Sequence, residues 1–75
     1  MDSVFQKLYE NYHQDLFQFL FYMVKNRETA EDLMQEVCIK VLNNYQKFEG
    51  KSSVNTWLYS IARNTAIDQF RKQRN

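Results

Sequence analysis

The sequence predicts an all-α fold, a compact bundle of three to four helices with a functional loop before the last helix. Three observations support this prediction. The chain of 75 residues contains no proline and a single glycine, Gly50, which argues against a fold with many turns. Its apolar residues recur at helical spacing in successive segments. Its length allows one domain at most, residues 1–75, and six Phe, five Tyr and one Trp can supply burial.

The first two segments follow in order along the chain. Residues 4–24 carry an apolar helical stripe, and Asn11 and His13 predict a break that divides it into two helices. Asn26 is placed to cap the next helix, which we expect to run to about Tyr45, with acids near its start. The predicted core stripe of that helix is Ala30, Leu33, Met34, Val37, Val41 and Tyr45.

The last helix follows the stretch FEGKSSVNTWL, residues 48–58. Ser52 or Ser53 can cap this helix, which we expect to continue to about Lys72. Its predicted buried stripe is Leu58, Ile61, Ala62 and Thr65. Gly50 allows a sharp turn that would bring Phe48 back toward the start of the helix. Phe48, the polar groups of the loop and Asn64 could then surround an unstacked base.

Charge is distributed unevenly along the chain. Residues 1–50 carry five Lys or Arg and eight Asp or Glu, a balance of −3, whereas residues 51–75 carry five bases and one acid, a balance of +4. A basic end on an acidic domain indicates a polyanionic partner there and a different partner elsewhere. A solvated helix end is the alternative, because bases near a C-terminus also favour the helix dipole.

Composition argues against catalysis, a cofactor or a membrane span. The single His13 and the single Cys38 fall on different predicted helices, and no metal-binding or phosphate-binding motif is present. Cys38 cannot form an internal disulfide, which fits a reducing compartment. The N-terminus lacks the pattern of a signal peptide, and the apolar run at residues 16–24 is too short to cross a bilayer. We therefore expect a soluble cytoplasmic domain without membrane contact.

Two helix faces are candidate binding surfaces. The polar face of the helix after Asn26 carries an apolar centre with a charged rim, the anatomy of an interface, formed by Asp32, Gln35, Glu36 and Ile39. The last helix carries aromatic rings, amides and cations, which suit single-stranded nucleic acid. These residues are Trp57, Ser60, Asn64 and Arg71 on one face, with Arg63 on an adjoining side.

Two motifs resemble a known family. Residues 30–36 read AEDLMQE, and residues 56–64 read TWLYSIARN, followed by Asp68 and Arg71. At this separation they resemble the second conserved region of bacterial RNA polymerase sigma factors, specifically the extracytoplasmic-function group. The resemblance covers essentially the whole chain. The family normally has a C-terminal domain for the −35 element, region 4, which we expect to be absent from this chain.

The resemblance implies two binding roles and no enzymatic activity. The face with Asp32, Gln35, Glu36 and Ile39 would dock on the clamp helices of the polymerase largest subunit. The loop at residues 48–55 would capture a flipped base from the non-template strand of the promoter −10 element. Its implied DNA-binding residues are Phe48, Gly50, Lys51, Ser52, Ser53, Asn55, Trp57, Ser60, Arg63, Asn64 and Arg71. An anti-sigma factor is the further partner that the resemblance implies.

Two alternatives follow from the helical pattern alone. A helical protein-interaction module without nucleic-acid binding would bury Trp57 and Asn64 or face them to a protein groove. A helix-turn-helix protein would need a turn of about 3–4 residues. The longer connection after residue 48 argues against this second alternative.

Overall fold

The computed structural model of the chain describes residues 3–44, 48 and 53–72, with side chains from Gln6 onward. Three helices make up this described part: α1 (Ser3–Val24), α2 (Arg27–Asn44) and α3 (Val54–Lys72). Each helix packs against the other two, which confirms the predicted all-α bundle. No helix in the described ranges is long and apolar enough to cross a membrane.

The core lies where the three helices meet, and each helix contributes one stripe. Its buried residues are Leu16, Leu20, Ala30, Leu33, Val37, Val41, Leu58, Ala62, Thr65 and Ala66. Each buried leucine or valine stabilises the fold by about 1.5–3 kcal/mol relative to exposure. Met34 and Ile61, predicted in these stripes, are only half-buried, and Tyr45 lies outside the described residues.

The predicted break in the first helix is wrong, because α1 is continuous through Asn11 and His13. His13 Nδ1 donates a hydrogen bond to the carbonyl oxygen of Tyr9 at 2.7 Å. The His13 ring also stacks on the Tyr9 ring, with centroids 4.6 Å apart. Both contacts join residues one helical turn apart, so they support the helix at the point where a break was expected.

A two-residue connection joins α1 to α2. Lys25 adopts a left-handed conformation with φ of 55°, and its N–H donates to the Phe21 carbonyl oxygen at 2.7 Å. This is the geometry of a helix C-terminal cap. Asn26 then caps α2, as predicted, since its Oδ1 accepts a hydrogen bond from the Thr29 N–H at 2.9 Å.

Ser53 provides the cap at the start of α3. Its Oγ accepts a hydrogen bond from the Thr56 N–H at 3.1 Å, and its carbonyl oxygen accepts one from the Trp57 N–H at 3.0 Å. Ser52, the other predicted cap, lies outside the described residues. The Ser53 cap fixes where α3 begins and so places Trp57 in its first turn.

Candidate functional site

An open recess between α2 and α3, the α2–α3 recess, brings the predicted residues Trp57 and Asn64 together. It has a volume of about 410 Å³, and its lining residues are Lys40, Asn44, Trp57, Ile61 and Asn64. The three residues from α3 have the spacing of one helical face, and the two from α2 are one turn apart. The recess therefore combines an indole, two amides and an ammonium group around apolar side chains.

The Lys40 side chain reaches the recess from α2 and is held there. Its Nζ donates a hydrogen bond to Thr65 Oγ1 at 2.9 Å, and this hydroxyl donates to the Ile61 carbonyl oxygen at 2.8 Å. Asn44 Nδ2 donates to the Lys40 carbonyl oxygen at 2.7 Å. These contacts fix a positive charge and an amide beside Trp57 before any ligand arrives.

Sequence reasoning missed both Lys40 and Asn44. The signal that could have found them is their spacing, because they follow Val37 and Val41 of the core stripe by three residues each. Positions three residues beyond a buried stripe lie at its edge, where a long side chain can reach the neighbouring helix.

Phe48 does not line the α2–α3 recess itself, but its ring contacts Trp57, which does. The centroids of the two rings are 4.9 Å apart, with 32° between their planes, and both side chains are half-buried. Trp57 therefore touches Phe48 and lines the recess with Asn64. This arrangement places an aromatic surface next to an exposed amide.

The remaining predicted DNA-binding residues are distributed around α3. Asn55, Ser60, Arg63 and Arg71 are exposed on this helix, and Ser53 is exposed just before it. Arg71 lies 3.8 Å from Asp68, atom to atom, and both side chains are more than half exposed. Gly50, Lys51 and Ser52 lie outside the described residues.

The predicted face on α2 is exposed and borders a second recess. Asp32, Gln35, Glu36 and Ile39 are all exposed, Ile39 at 59%. Three of them line a groove of about 850 Å³ between α1 and α2, the α1–α2 groove. Sequence reasoning missed the opposite wall of this groove, which comes from Tyr9, His13 and Phe17 of α1.

The single cysteine and the single histidine of the chain, Cys38 and His13, both line this groove. Burial raises the pKa of the Cys38 thiol, so the thiol stays protonated near neutral pH and is a poor nucleophile. The His13 ring is engaged with Tyr9. Within the described ranges, no group of three or more His, Cys, Asp or Glu side chains could hold a metal ion.

Comparison with known proteins identifies the family. Residues 8–75 match the family model described as Sigma-70 region 2. The chain is 66% identical over 73 residues to the ECF RNA polymerase sigma factor SigX of Bacillus subtilis, covering 97% of this chain and 38% of that protein. It is 42% identical over 71 residues to the RNA polymerase sigma factor YlaC of Bacillus subtilis, covering 95% of this chain and 40% of that protein.

A third similar protein is also an RNA polymerase sigma factor. The ECF RNA polymerase sigma factor SigM of Bacillus subtilis is 35% identical over 68 residues, covering 91% of this chain and 41% of that protein. The chain thus spans about two-fifths of the length of these relatives. The match extends over both motifs, the α2 face and the α2–α3 recess, and the chain belongs to the Sigma-70 region 2 family, with the extracytoplasmic-function group among its relatives.

Proposed function

We propose that this chain recognises the promoter −10 element, helps to open its strands and docks on core RNA polymerase. As a Sigma-70 region 2 domain it is a transcription initiation module and not an enzyme. The observation that carries the DNA-binding part of the proposal is the α2–α3 recess, where Trp57 and Asn64 meet beside Lys40. The domain, residues 1–75, acts in the cytoplasm, where RNA polymerase is found.

The recess receives a base flipped out of the non-template strand. Extruding a base costs a few kcal/mol, and stacking on an aromatic ring returns about 1–3 kcal/mol per base. The half-buried Trp57 with Phe48 against it offers such a surface, and the exposed Asn64 amide offers both a donor and an acceptor to the base edge. Lys51, Ser52 and Gly50 belong to the same proposed site, as does Ser53.

The DNA backbone follows the exposed cations of α3. Arg63, Arg71 and Lys72 are all exposed on this helix, and Ser60 and Asn55 lie closer to its start. Each contact between a cation and a single-strand phosphate makes the slope of log affinity against log salt more negative by about 0.7. A domain with three such contacts would bind strongly only at low salt, so polymerase must supply further affinity in the assembled complex.

The exposed face with Asp32, Gln35, Glu36 and Ile39 docks on the clamp helices of the polymerase largest subunit. Its support is an apolar residue, 59% exposed, among acidic and amide side chains. This composition favours an apolar contact surrounded by charge pairs. An anti-sigma factor that covered this face or the recess would keep the domain inactive.

Trp57 supplies a direct probe of the recess, because it is the single tryptophan of the chain. We expect single-stranded oligonucleotides with a −10 sequence to change its fluorescence at low salt. Asn64→Ala should weaken this binding about tenfold, the loss expected from one base-reading side chain. Asn11→Ala is the matched control, since Asn11 is an exposed helical asparagine on α1.

The oligonucleotide titration also tests the alternative of a protein-interaction module. That alternative predicts no fluorescence change with DNA and no dependence on salt. Equal affinities for the Asn64→Ala and Asn11→Ala variants would refute base capture in the recess.

Docking is tested separately by binding of the chain to core RNA polymerase. Combining Asp32→Ala with Glu36→Ala should weaken this binding and leave oligonucleotide binding to the free chain unchanged. Unaltered affinity for core polymerase would refute the assignment of this face.

A further inference from the structure

The hydroxyl group of Thr65 has one orientation that satisfies both of its hydrogen bonds. The Ile61 carbonyl oxygen can only accept, so the hydroxyl hydrogen points toward it, with 2.8 Å between the two oxygen atoms. A lone pair of the hydroxyl oxygen then faces the Lys40 ammonium group, which can only donate. Because Thr65 is fully buried and its β-branched side chain is restricted at χ1, this acceptor has a fixed position in the core.

Lys40 gains a defined position from this acceptor and keeps the capacity to bind a ligand. Its side chain is half-buried and lines the α2–α3 recess. An ammonium group has three N–H donors, so two remain after the hydrogen bond to Thr65. The ion pairs among the described residues involve Arg27 and Arg71, so within that part of the chain no carboxylate neutralises Lys40. A cation held in this way suits the phosphate oxygens or the base acceptor atoms of a nucleotide.

We propose that Thr65 is a positioning residue for DNA binding, which holds the Lys40 ammonium group at the α2–α3 recess from inside the core. This inference rests on the proposed binding of −10 DNA in that recess. A lysine side chain without such a partner is spread over many rotamers, and ordering it on binding reduces affinity. The buried hydroxyl orders Lys40 before the DNA arrives, so that loss of affinity is avoided.

The first test uses two substitutions of Thr65 that remove different groups. Thr65→Val keeps the shape of the side chain and removes the hydroxyl, whereas Thr65→Ser keeps the hydroxyl and removes the methyl group. Thr65→Val should weaken binding of a fluorescein-labelled single-stranded −10 oligonucleotide about threefold at low salt, because one lysine side chain then has to be ordered on binding. Thr65→Ser should bind within about 1.5-fold of wild type, since a serine hydroxyl makes the same bond to the carbonyl one turn back. Equal losses for the two variants would give Thr65 a structural role only and overturn the inference.

The second test asks whether the effect of Thr65 passes through Lys40. In a Lys40→Met background, Thr65→Val should no longer change the affinity, because the group that it positions is absent. A loss that persists in this background would contradict the inference. So would wild-type affinity of Thr65→Val beside weakened binding of Lys40→Met, since Lys40 would then act without being positioned.

Two further outcomes separate this inference from the proposed function. If Lys40→Met binds like the wild type while Asn64→Ala binds more weakly, the inference fails and base capture in the recess stands. If neither variant differs from the wild type, base capture fails as well.

A measurement on the wild-type chain stands even where Thr65→Val does not fold. In the free chain labelled with ¹⁵N at its lysine ammonium groups, the NMR signal of Lys40 is identified by its loss in Lys40→Met. The ammonium group of Lys40 should be more ordered than that of Lys7, an exposed lysine on α1. Equal mobility of the two groups would show that the Thr65 hydroxyl does not hold Lys40 and would rule the inference out.

Discussion

Lys40 of α2 donates a hydrogen bond to the hydroxyl of Thr65, a fully buried residue on α3, with 2.9 Å between Nζ and Oγ1. The same hydroxyl donates to the Ile61 carbonyl oxygen. The Thr65 hydroxyl therefore donates within α3 and accepts from α2, and the second hydrogen bond positions the Lys40 ammonium group at the α2–α3 recess. This relationship connects core packing with the site, because the residue that orients Lys40 belongs to the core.

The hydrogen bond predicts energetic coupling between the two residues. Thr65→Val should lower the free energy of unfolding by about 1 kcal/mol, the usual net value of one hydrogen bond. In a Lys40→Met background the same substitution should cost about 0.5 kcal/mol less, since the bond between the helices is already lost. Urea unfolding followed by Trp57 fluorescence measures all four proteins. Strictly additive losses would show that the bond contributes nothing to stability.

Lys40 should also contribute to DNA binding. Lys40→Met removes the positive charge beside Trp57, so affinity for a single-stranded −10 oligonucleotide should fall at low salt, and the salt slope should become shallower by about 0.7. Lys7→Met is the matched control, because Lys7 is an exposed lysine on α1 and does not line the recess. The slope is obtained from titrations at several salt concentrations. Equal slopes for the two variants would exclude a contact between Lys40 and the DNA backbone.

The sequence predicted well those features that depend on local chemistry. Asn26 was identified as a cap from its residue type and the acids that follow it, and Val37 and Val41 from helical spacing. It failed where contacts between helices decide the outcome. The hydrogen bond from Lys40 Nζ to Thr65 Oγ1 joins residues that are 25 positions apart in the chain. Tyr9 and His13 form one wall of the α1–α2 groove only because α2 lies beside them. Spacing within α2 can place Lys40 at the edge of the core stripe, but it does not show which neighbouring helix its side chain reaches.

The same reasoning explains the error at His13. An asparagine and a histidine have weak helix propensity, which favoured a break, but weak propensity costs only a few tenths of a kcal/mol at each position. Stacking on Tyr9 and packing of Leu16 and Leu20 in the core outweigh that cost. Gln14, next to His13, retains the backbone N–H that a continuous helix needs.

The left-handed Lys25 predicts a stabilising substitution. A residue with a Cβ atom loses roughly 1–2 kcal/mol in this conformation, whereas glycine adopts it without that penalty. Lys25→Gly should therefore raise the free energy of unfolding by about 0.5–1 kcal/mol after the extra flexibility of the unfolded chain is counted. Lys7→Gly, in the interior of α1, should lower it by about 1 kcal/mol. Thermal or urea unfolding measures both, and changes of the same sign would contradict the left-handed cap.

Burial of Cys38 predicts that its thiol is alkylated slowly and that the free energy of unfolding depends on pH in a specific way. Because burial raises the pKa of this thiol in the folded chain, iodoacetamide should alkylate it with a midpoint at higher pH than in the urea-unfolded chain. By linkage, the contribution of the neutral thiol to stability is complete below the pKa of the unfolded state and is lost as pH rises through the pKa of the folded state. The free energy of unfolding should therefore fall more steeply at alkaline pH in the wild-type chain than in Cys38→Ala, which cannot titrate at this position. The comparison isolates Cys38 because the tyrosines and lysines are common to both proteins.

An alkylation midpoint at or below that of the unfolded chain would mean that the thiolate is stabilised in the α1–α2 groove, and the thiol would then have to be regarded as reactive.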